Sequence, residues 1–260
     1  MLTEERHAFI LQILKRNGIV KSQDLMNQLE CSESTIRRDL RQLEETGDLK
    51  RIHGGAKRIY QLDEELPTSE KSFKNIQEKQ IIGKRATSLI QENDVIFMDA
   101  GTTTLAMVPY LQGKSITVVT NGIQHASLLA EQQIETFLIG GKIKHSTKAI
   151  IGSVSLNELK NYRFNRVFLG MNGIDPEFGC TTPDPEEAAL KQRAHEQAAV
   201  TYLLADQSKW NKVSFAKVCD MEEVTIITNN IPENLQYNKE KATILEARNH
   251  DLYHNTEPFH

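Results

Sequence analysis

Apolar residues recur at helical spacing through the first 60 residues and gather into short β-branched runs through much of the rest. Phe9, Ile10, Ile13 and Leu14 form one helical stripe, with Thr3 as the predicted N-cap and Asn17 with Gly18 as the stop. Leu25, Met26 and Leu29 predict a second helix capped by Ser22. Ile36, Leu40 and Leu43 stand at i, i+4 and i+7 of a third, capped by Ser32 and stopped by Gly47. Residues 49–52 and 57–60 then read as two strands around His53, Gly54, Gly55 and Ala56, where paired glycines permit the positive φ of a tight hairpin. Residues 61–75 lose all periodicity and contain Pro67, which predicts a linker. Beyond them, the runs at 95–98, 116–120, 136–139, 167–169, 200–204 and 224–227 alternate with helix-length segments. That alternation predicts an α/β domain with a mainly parallel sheet over 76–250, followed by a polar tail at 251–260.

Charge refines this division. The chain of 260 residues carries a formal −4, but residues 1–60 hold 11 Lys and Arg against 9 Asp and Glu, and the remainder 20 against 26. On the third helix, roughly 100° per residue turns Ser34, Arg38 and Arg41 away from the apolar stripe, with Thr35 and Arg37 on its flanks. Helix, short turn, helix with outward Ser, Thr and Arg, then a Gly-Gly hairpin is the order a winged helix-turn-helix requires. In such a module Arg forks onto guanine in the major groove while the wing reaches phosphates. Ser34, Thr35, Arg37, Arg38, Arg41, Arg51, His53 and Lys57 are the expected DNA contacts. An Arg-rich solvated face is the plainer reading of the helix alone.

In the α/β part, Asp99, Ala100, Gly101, Thr102, Thr103 and Thr104 follow a predicted strand and precede a predicted helix at 105–111. Glycine lets backbone approach a ligand, hydroxyls donate, and a helix N-terminus favours anions, which together describe a phosphate cradle. A turn capped by Thr has the same composition. Asn121, Gly141, Glu187, Lys191, Asp206 and Lys209 stand near the ends of later strands, where open α/β sheets bind ligands. Each also has an ordinary use: Asn121 as a cap, Glu187 with Lys191 as a surface i,i+4 pair.

Ser32, Thr35 to Leu40, Leu43, Gly47 and the Arg51 to Ala56 block resemble the DeoR family of bacterial transcriptional repressors, and the likeness runs through nearly the whole chain. The resemblance implies a winged helix-turn-helix joined to a larger α/β domain similar to ribose-5-phosphate isomerase, binding a phosphorylated sugar. It implies that Asp99 to Thr104 is the phosphate loop, that Glu187 and Lys191 match the family's Glu-Ala-x-x-Lys, and that Asp206 and Lys209 match its Ala-Asp-x-Ser-Lys. The chain departs from the usual pattern at Gln207, Cys180 and Asn229. The expected partners are a double-stranded DNA operator, a sugar-phosphate effector and further copies of the chain.

The alternative is an isomerase-like enzyme carrying a DNA-binding module, which needs a positioned carboxylate base. Where the isomerases use Asp-Gly-Ala-Asp, this chain has Gly170, Met171, Asn172 and Gly173, leaving Asp175 and Glu186 as substitutes. No catalytic residue, cofactor or metal is expected; His250 and His254 read as part of a polar tail, and Trp210 as structural. Three scattered cysteines without a C-x-x-C, and no apolar run near the ~20 residues of a spanning helix, predict a soluble cytoplasmic protein.

Overall fold

The structure, a computed structural model, describes residues 1–60, 62, 66–231 and 242–248; the tail, with His250 and His254, lies outside them. Internal packing divides the chain into two units, Met1–Gln61 and Leu62–His260.

In the first unit, α1 (Thr3–Asn17) buries Ile10 and Leu14 and stops where Gly18, at φ 74°, donates its N–H to Leu14 O. Its N-cap is Leu2, not Thr3: the Glu5 carboxylate accepts the Leu2 N–H at 2.8 Å, so Thr3 is already helical. A strand unexpected from sequence, β1 (Ile19–Lys21), runs directly into α2 (Ser22–Leu29). Ser22 therefore does not cap; its N–H is taken by Gly54 O at 2.8 Å. The third helix, α3 (Glu33–Glu45), is capped by Ser32, whose hydroxyl accepts the Thr35 N–H at 3.3 Å, and it buries Ile36, Leu40 and Leu43.

The hairpin is tighter than the sequence reading. Strands β2 (Leu49–Ile52) and β3 (Gly55–Arg58) pair with Ile52 opposite Gly55, leaving His53 and Gly54 as a two-residue turn. Gly54 supplies the positive φ of 79°, whereas Gly55 is needed for space, since a Cβ there would lie 1.9 Å from Val20 O on β1. The wing is thus three-stranded, in the order β1-β3-β2.

The second unit is built on seven parallel strands: β4 (Val95–Met98), β5 (Thr117–Thr120), β6 (Glu135–Leu138), β9 (Phe164–Gly170), β12 (Ala198–Leu204), β14 (Thr225–Thr228) and β15 (Thr243–Glu246). Six are the expected runs, displaced by a residue or a few at their ends. Side chains alternate between two buried faces: Ile96, Met98, Val118 and Phe168 meet α5 (Ile76–Thr87) and α7 (Ile123–Glu131), while Phe97, Val119, Val167 and Leu169 meet α8 (Ser153–Leu159) and α9 (Pro185–Glu196). Burial on both faces is why the inner strands read as continuous apolar runs, whereas the edge strand β6 leaves Phe137 and Leu138 exposed.

Four features differ from the expectations. Residues 61–75 contain a short helix, α4 (Thr68–Ser72), whose first N–H is held by Ser146 O, so their second half belongs to the α/β unit. The helix expected at 105–111 is α6 (Thr102–Leu105) followed by a 3-10 turn at Val108–Tyr110. Pro109 explains the break, having no N–H and a ring that clashes with the carbonyl four residues earlier. A hairpin, β7 (Lys142–Lys144) with β8 (Ala149–Ile151), and a small antiparallel sheet of β10 (Gly173–Asp175), β11 (Gly179–Thr182) and β13 (Ala216–Cys219) are additional.

The sheet order β15-β14-β12-β9-β4-β5-β6 fixes where a ligand can sit. From β4 the chain winds outward through β5 and β6, then returns to β9 on β4's other side. Connections therefore diverge between β4 and β9, and the crevice beyond their carboxyl ends is the ligand position of open α/β folds.

Candidate functional site

On the first unit, Ser34, Arg37, Arg38 and Arg41 of α3 are exposed, and they share a shallow depression with Ser32, Glu33 and Arg51 of β2. His53 is exposed at the wing tip; Thr35 and Lys57 are half-buried. The Ser34 and Thr35 hydroxyls both lie 2.9 Å from Ser32 Oγ and are engaged with the helix cap. Among the described residues, the α3 arginines make only long, exposed pairs, Arg37 with Glu33 at 3.5 Å and Arg41 with Glu45 at 3.8 Å. Such pairs contribute little and yield readily to phosphate.

On the second unit, a cavity of about 340 Å³ opens at the β4/β9 crevice. Of the sequence-predicted residues, Asp99, Gly101, Thr102, Thr103, Asn121, Glu187, Lys191, Asp206 and Lys209 line it. Thr104 and Gly141 do not. Thr104 is fully buried, its hydroxyl turned onto Asp99, and the residues are separated by helical rotation, so the third threonine faces inward. Gly141 sits at φ 146°, and a Cβ there would meet Ser155 Oγ at 2.3 Å, so this glycine serves close packing instead.

Asp99 is 1% exposed and organises the floor. It pairs with Lys191 and accepts N–H groups from Gly170 at 2.9 Å and Gly101 at 3.1 Å, and the Thr104 hydroxyl at 2.9 Å. Glu187 and Lys191 are not a surface i,i+4 pair: Glu187 instead meets Lys144 at 3.2 Å and accepts from Thr147 Oγ1 at 2.7 Å. Asp206 Oδ1 accepts from Asn75 Nδ2 and from the Ser208 N–H, both at 2.9 Å. Asn121 Nδ2 donates to Ile150 O at 3.0 Å. That leaves Asn121 Oδ1 and Asp206 Oδ2 as buried acceptors without a hydrogen-bond partner among the described residues.

Lys71, Lys74, Asn75, Lys79, Thr147 and Lys212 also line the cavity and were missed from sequence. The available signal was Asn75 and Lys79 at i,i+4 beside a break in periodicity. Lys79 is 6% exposed and donates to Lys71 O; burial pushes its pKa down to about 8, Lys209 and Lys71 reinforcing this and Asp206 opposing it. Because the unfolded chain holds this proton up to about 10.5, the charged lysine costs stability below pH 8, and the cost fades as pH rises towards the unfolded value. Lys79→Met is therefore expected to raise stability at pH 7 by roughly 1–2 kcal/mol, the value being reduced by cavity water, while weakening anion binding. Urea denaturation at pH 7 and pH 10 checks it: the variant's advantage should shrink at the higher pH.

The residues offered as a substitute base do not serve the cavity. Asp175 accepts the Glu177 and Phe178 N–H groups in the β10–β11 turn, and Glu186 pairs with Lys142 at 3.6 Å. Trp210 donates its indole N–H to Thr228 Oγ1 at 3.3 Å and is structural. The Cys180 thiol is pushed well up by its hydrogen bond with Cys219 and by burial, which disfavours a nucleophile. Among the described residues no His, Cys, Asp and Glu cluster is placed to hold a metal, and no helix is long and apolar enough to cross a membrane.

Comparison with known proteins gives matches to two family descriptions: a DeoR-like helix-turn-helix domain over residues 6–61 and a DeoR C terminal sensor domain over residues 74–230. The chain is 46% identical to an uncharacterized HTH-type transcriptional regulator FruR of Bacillus subtilis, over 95% of this chain and 99% of the relative. It is 35% identical to the HTH-type transcriptional regulator GlpR of Haloferax volcanii, over 87% and 89%. With the lactose phosphotransferase system repressor of Staphylococcus aureus it shares 31% identity, over 87% and 92%. Among solved structures, ribose 5 phosphate isomerase A from Neisseria gonorrhoeae matches 52% of this chain and 53% of its own at 20% identity and a TM-score of 0.38. The eIF2B delta subunit from Chaetomium thermophilum matches 59% and 56% at 17% identity and a TM-score of 0.45.

Proposed function

Because the chain belongs to the DeoR family of transcriptional regulators, with both a helix-turn-helix and a sensor domain, we propose that it represses sugar-metabolism genes and that a phosphorylated sugar controls the repression. The chain is a regulator and not an enzyme. In the proposed mechanism, α3 enters the major groove and Arg51 with His53 of the wing meets the backbone. Two such modules, carried by an oligomer in the cytoplasm, read half-sites about 34 Å apart.

The observation that carries the effector reading is the cavity at the β4/β9 crevice. It combines lysines with two buried acceptors, Asn121 Oδ1 and Asp206 Oδ2, that have no donor among the described residues. Leaving such acceptors unmet costs about 1–3 kcal/mol each, and the hydroxyls of a sugar would supply the donors. Lys191, Lys209 and the Gly101 to Thr103 loop would take the phosphate through charge-assisted hydrogen bonds. Lys71, Lys74 and Asn75 stand at the start of the second unit, directly after the stretch that leaves the DNA-binding unit.

The test is operator binding by the full chain, using DNA selected from the genome by the protein, titrated with fructose 1-phosphate, glucose 6-phosphate and other pentose and hexose phosphates. One member should change the operator affinity by about 5–150-fold, the usual range of coupling between sites. Unchanged affinity across the panel would leave the second unit as an oligomerising scaffold and overturn the effector reading.

A further inference from the structure

Behind the Gly101 to Thr103 loop lies a chain of buried hydrogen bonds that ends on a histidine. His125, on α7, is 2% exposed, and its Nε2 lies 3.2 Å from Thr104 Oγ1. The ring fills the space over Gly122, where a Cβ would come within 2.4 Å of Nδ1. Thr104 Oγ1 has three acceptors close by: Asp99 Oδ1 at 2.9 Å, Asp99 O at 2.8 Å and Gly101 O at 2.8 Å.

A hydroxyl has one proton to give. Were His125 Nε2 unprotonated, Thr104 would spend that proton on the ring and face three oxygens with lone pairs alone. The contacts are best met when Nε2 carries hydrogen and donates to Thr104, which frees the Thr104 proton for Asp99. Burial pushes the His125 pKa down to about 4, although the Asp99 charge and the Gly101 carbonyl favour the protonated ring. The imidazole is therefore a neutral donor at neutral pH and adds no charge beneath the loop.

We infer that His125 is a positioning residue for effector binding, acting through Thr104 to orient Asp99 and, with it, the Gly101 to Thr103 loop and Lys191. The inference rests on the sugar-phosphate reading of the cavity. It also gives the third threonine its role: Thr102 and Thr103 face the ligand space, and Thr104 transmits the hold of α7 onto Asp99. Lys191 reaches the same carboxylate from α9, so two helices from opposite faces of the sheet converge on one aspartate.

Isothermal titration of the full chain with fructose 1-phosphate, glucose 6-phosphate and inorganic phosphate tests it. His125→Phe keeps a planar ring and removes the N–H, and should weaken the best of these ligands roughly tenfold, the worth of one buried hydrogen bond. His125→Gln restores a donor and should recover most of that loss, which a purely space-filling role would not allow. Thr104→Val should lose at least as much as His125→Phe, and the double variant no more than Thr104→Val alone. If Phe is not accommodated, His125→Leu serves the same comparison with Gln. Equal binding by the wild type and His125→Phe, no recovery with Gln, or additive losses in the double variant would overturn the inference while the sugar-phosphate reading stands. Binding of none of the probes by the wild type would overturn both.

Discussion

Asp99→Ala is expected to destabilise the C-terminal unit by about 3–5 kcal/mol and to abolish ligand binding, because it breaks a buried ion pair by removing one partner. Among the described residues, Lys191 would keep only Gly170 O, at 3.1 Å, for its ammonium. The Gly170 and Gly101 N–H groups and the Thr104 hydroxyl would lose a shared acceptor in the same step. The chain has a single tryptophan, Trp210, buried in the C-terminal unit, so its emission during urea denaturation reports on that unit alone. Asp99→Asn keeps the shape and one acceptor oxygen, and should cost clearly less. A loss below about 1 kcal/mol for Asp99→Ala, the scale of an exposed pair, would mean that Asp99 does not organise the floor of the cavity.

Asp99 itself was legible as the first residue after the strand in a strand-loop-helix pattern, and the inner expected strands were legible for a related reason. Phe97, Val119 and Val167 are buried against one layer of helices while Ile96, Val118 and Phe168 are buried against the other, which leaves a mark in composition. The short antiparallel pieces left none. β1, β7 and β10 are three residues long, and what makes Lys21 a strand residue is Gly55 thirty-four positions away.

The cavity wall from α4 was hidden for a different reason. None of α4's residues is buried, so it carries no apolar stripe, and its one lysine, Lys71, looks like that of any solvated linker. Lys79 looks like an outward helix position, and the charges it meets, Asp206 and Lys209, arrive from beyond β12's far end. Three consecutive threonines are equivalent in composition, and only the local rotation of α6 decides that Thr104 turns inward. Glu187 and Lys191 at i,i+4 suggest each other as partners until Lys144 and Asp99 arrive from other elements.

On the DNA-binding unit the decisive contrast lies among Arg37, Arg38 and Asp39. Asp39 is turned inward, accepting from Arg6 Nε at 2.7 Å and Arg6 Nη2 at 2.9 Å, with His7 Nε2 at 3.3 Å from the same carboxylate. It ties α3 to α1, and with Ile36 and Leu40 it fixes which way the two arginines point. Arg37 and Arg38 are exposed, so replacing both with Ala should leave the fold intact. Each base-reading arginine is worth about 1–3 kcal/mol, and the double variant is expected to bind its selected operator at least ~30-fold more weakly. The salt dependence separates their roles. An arginine on a phosphate lowers the slope of log affinity against log salt by about one and weakens all sequences alike, whereas one on a base edge lowers the preference for the operator over random DNA. Fluorescence anisotropy at several salt concentrations, on operator and on scrambled DNA, measures both. Operator affinity unchanged in the double variant would remove α3 as the reading helix.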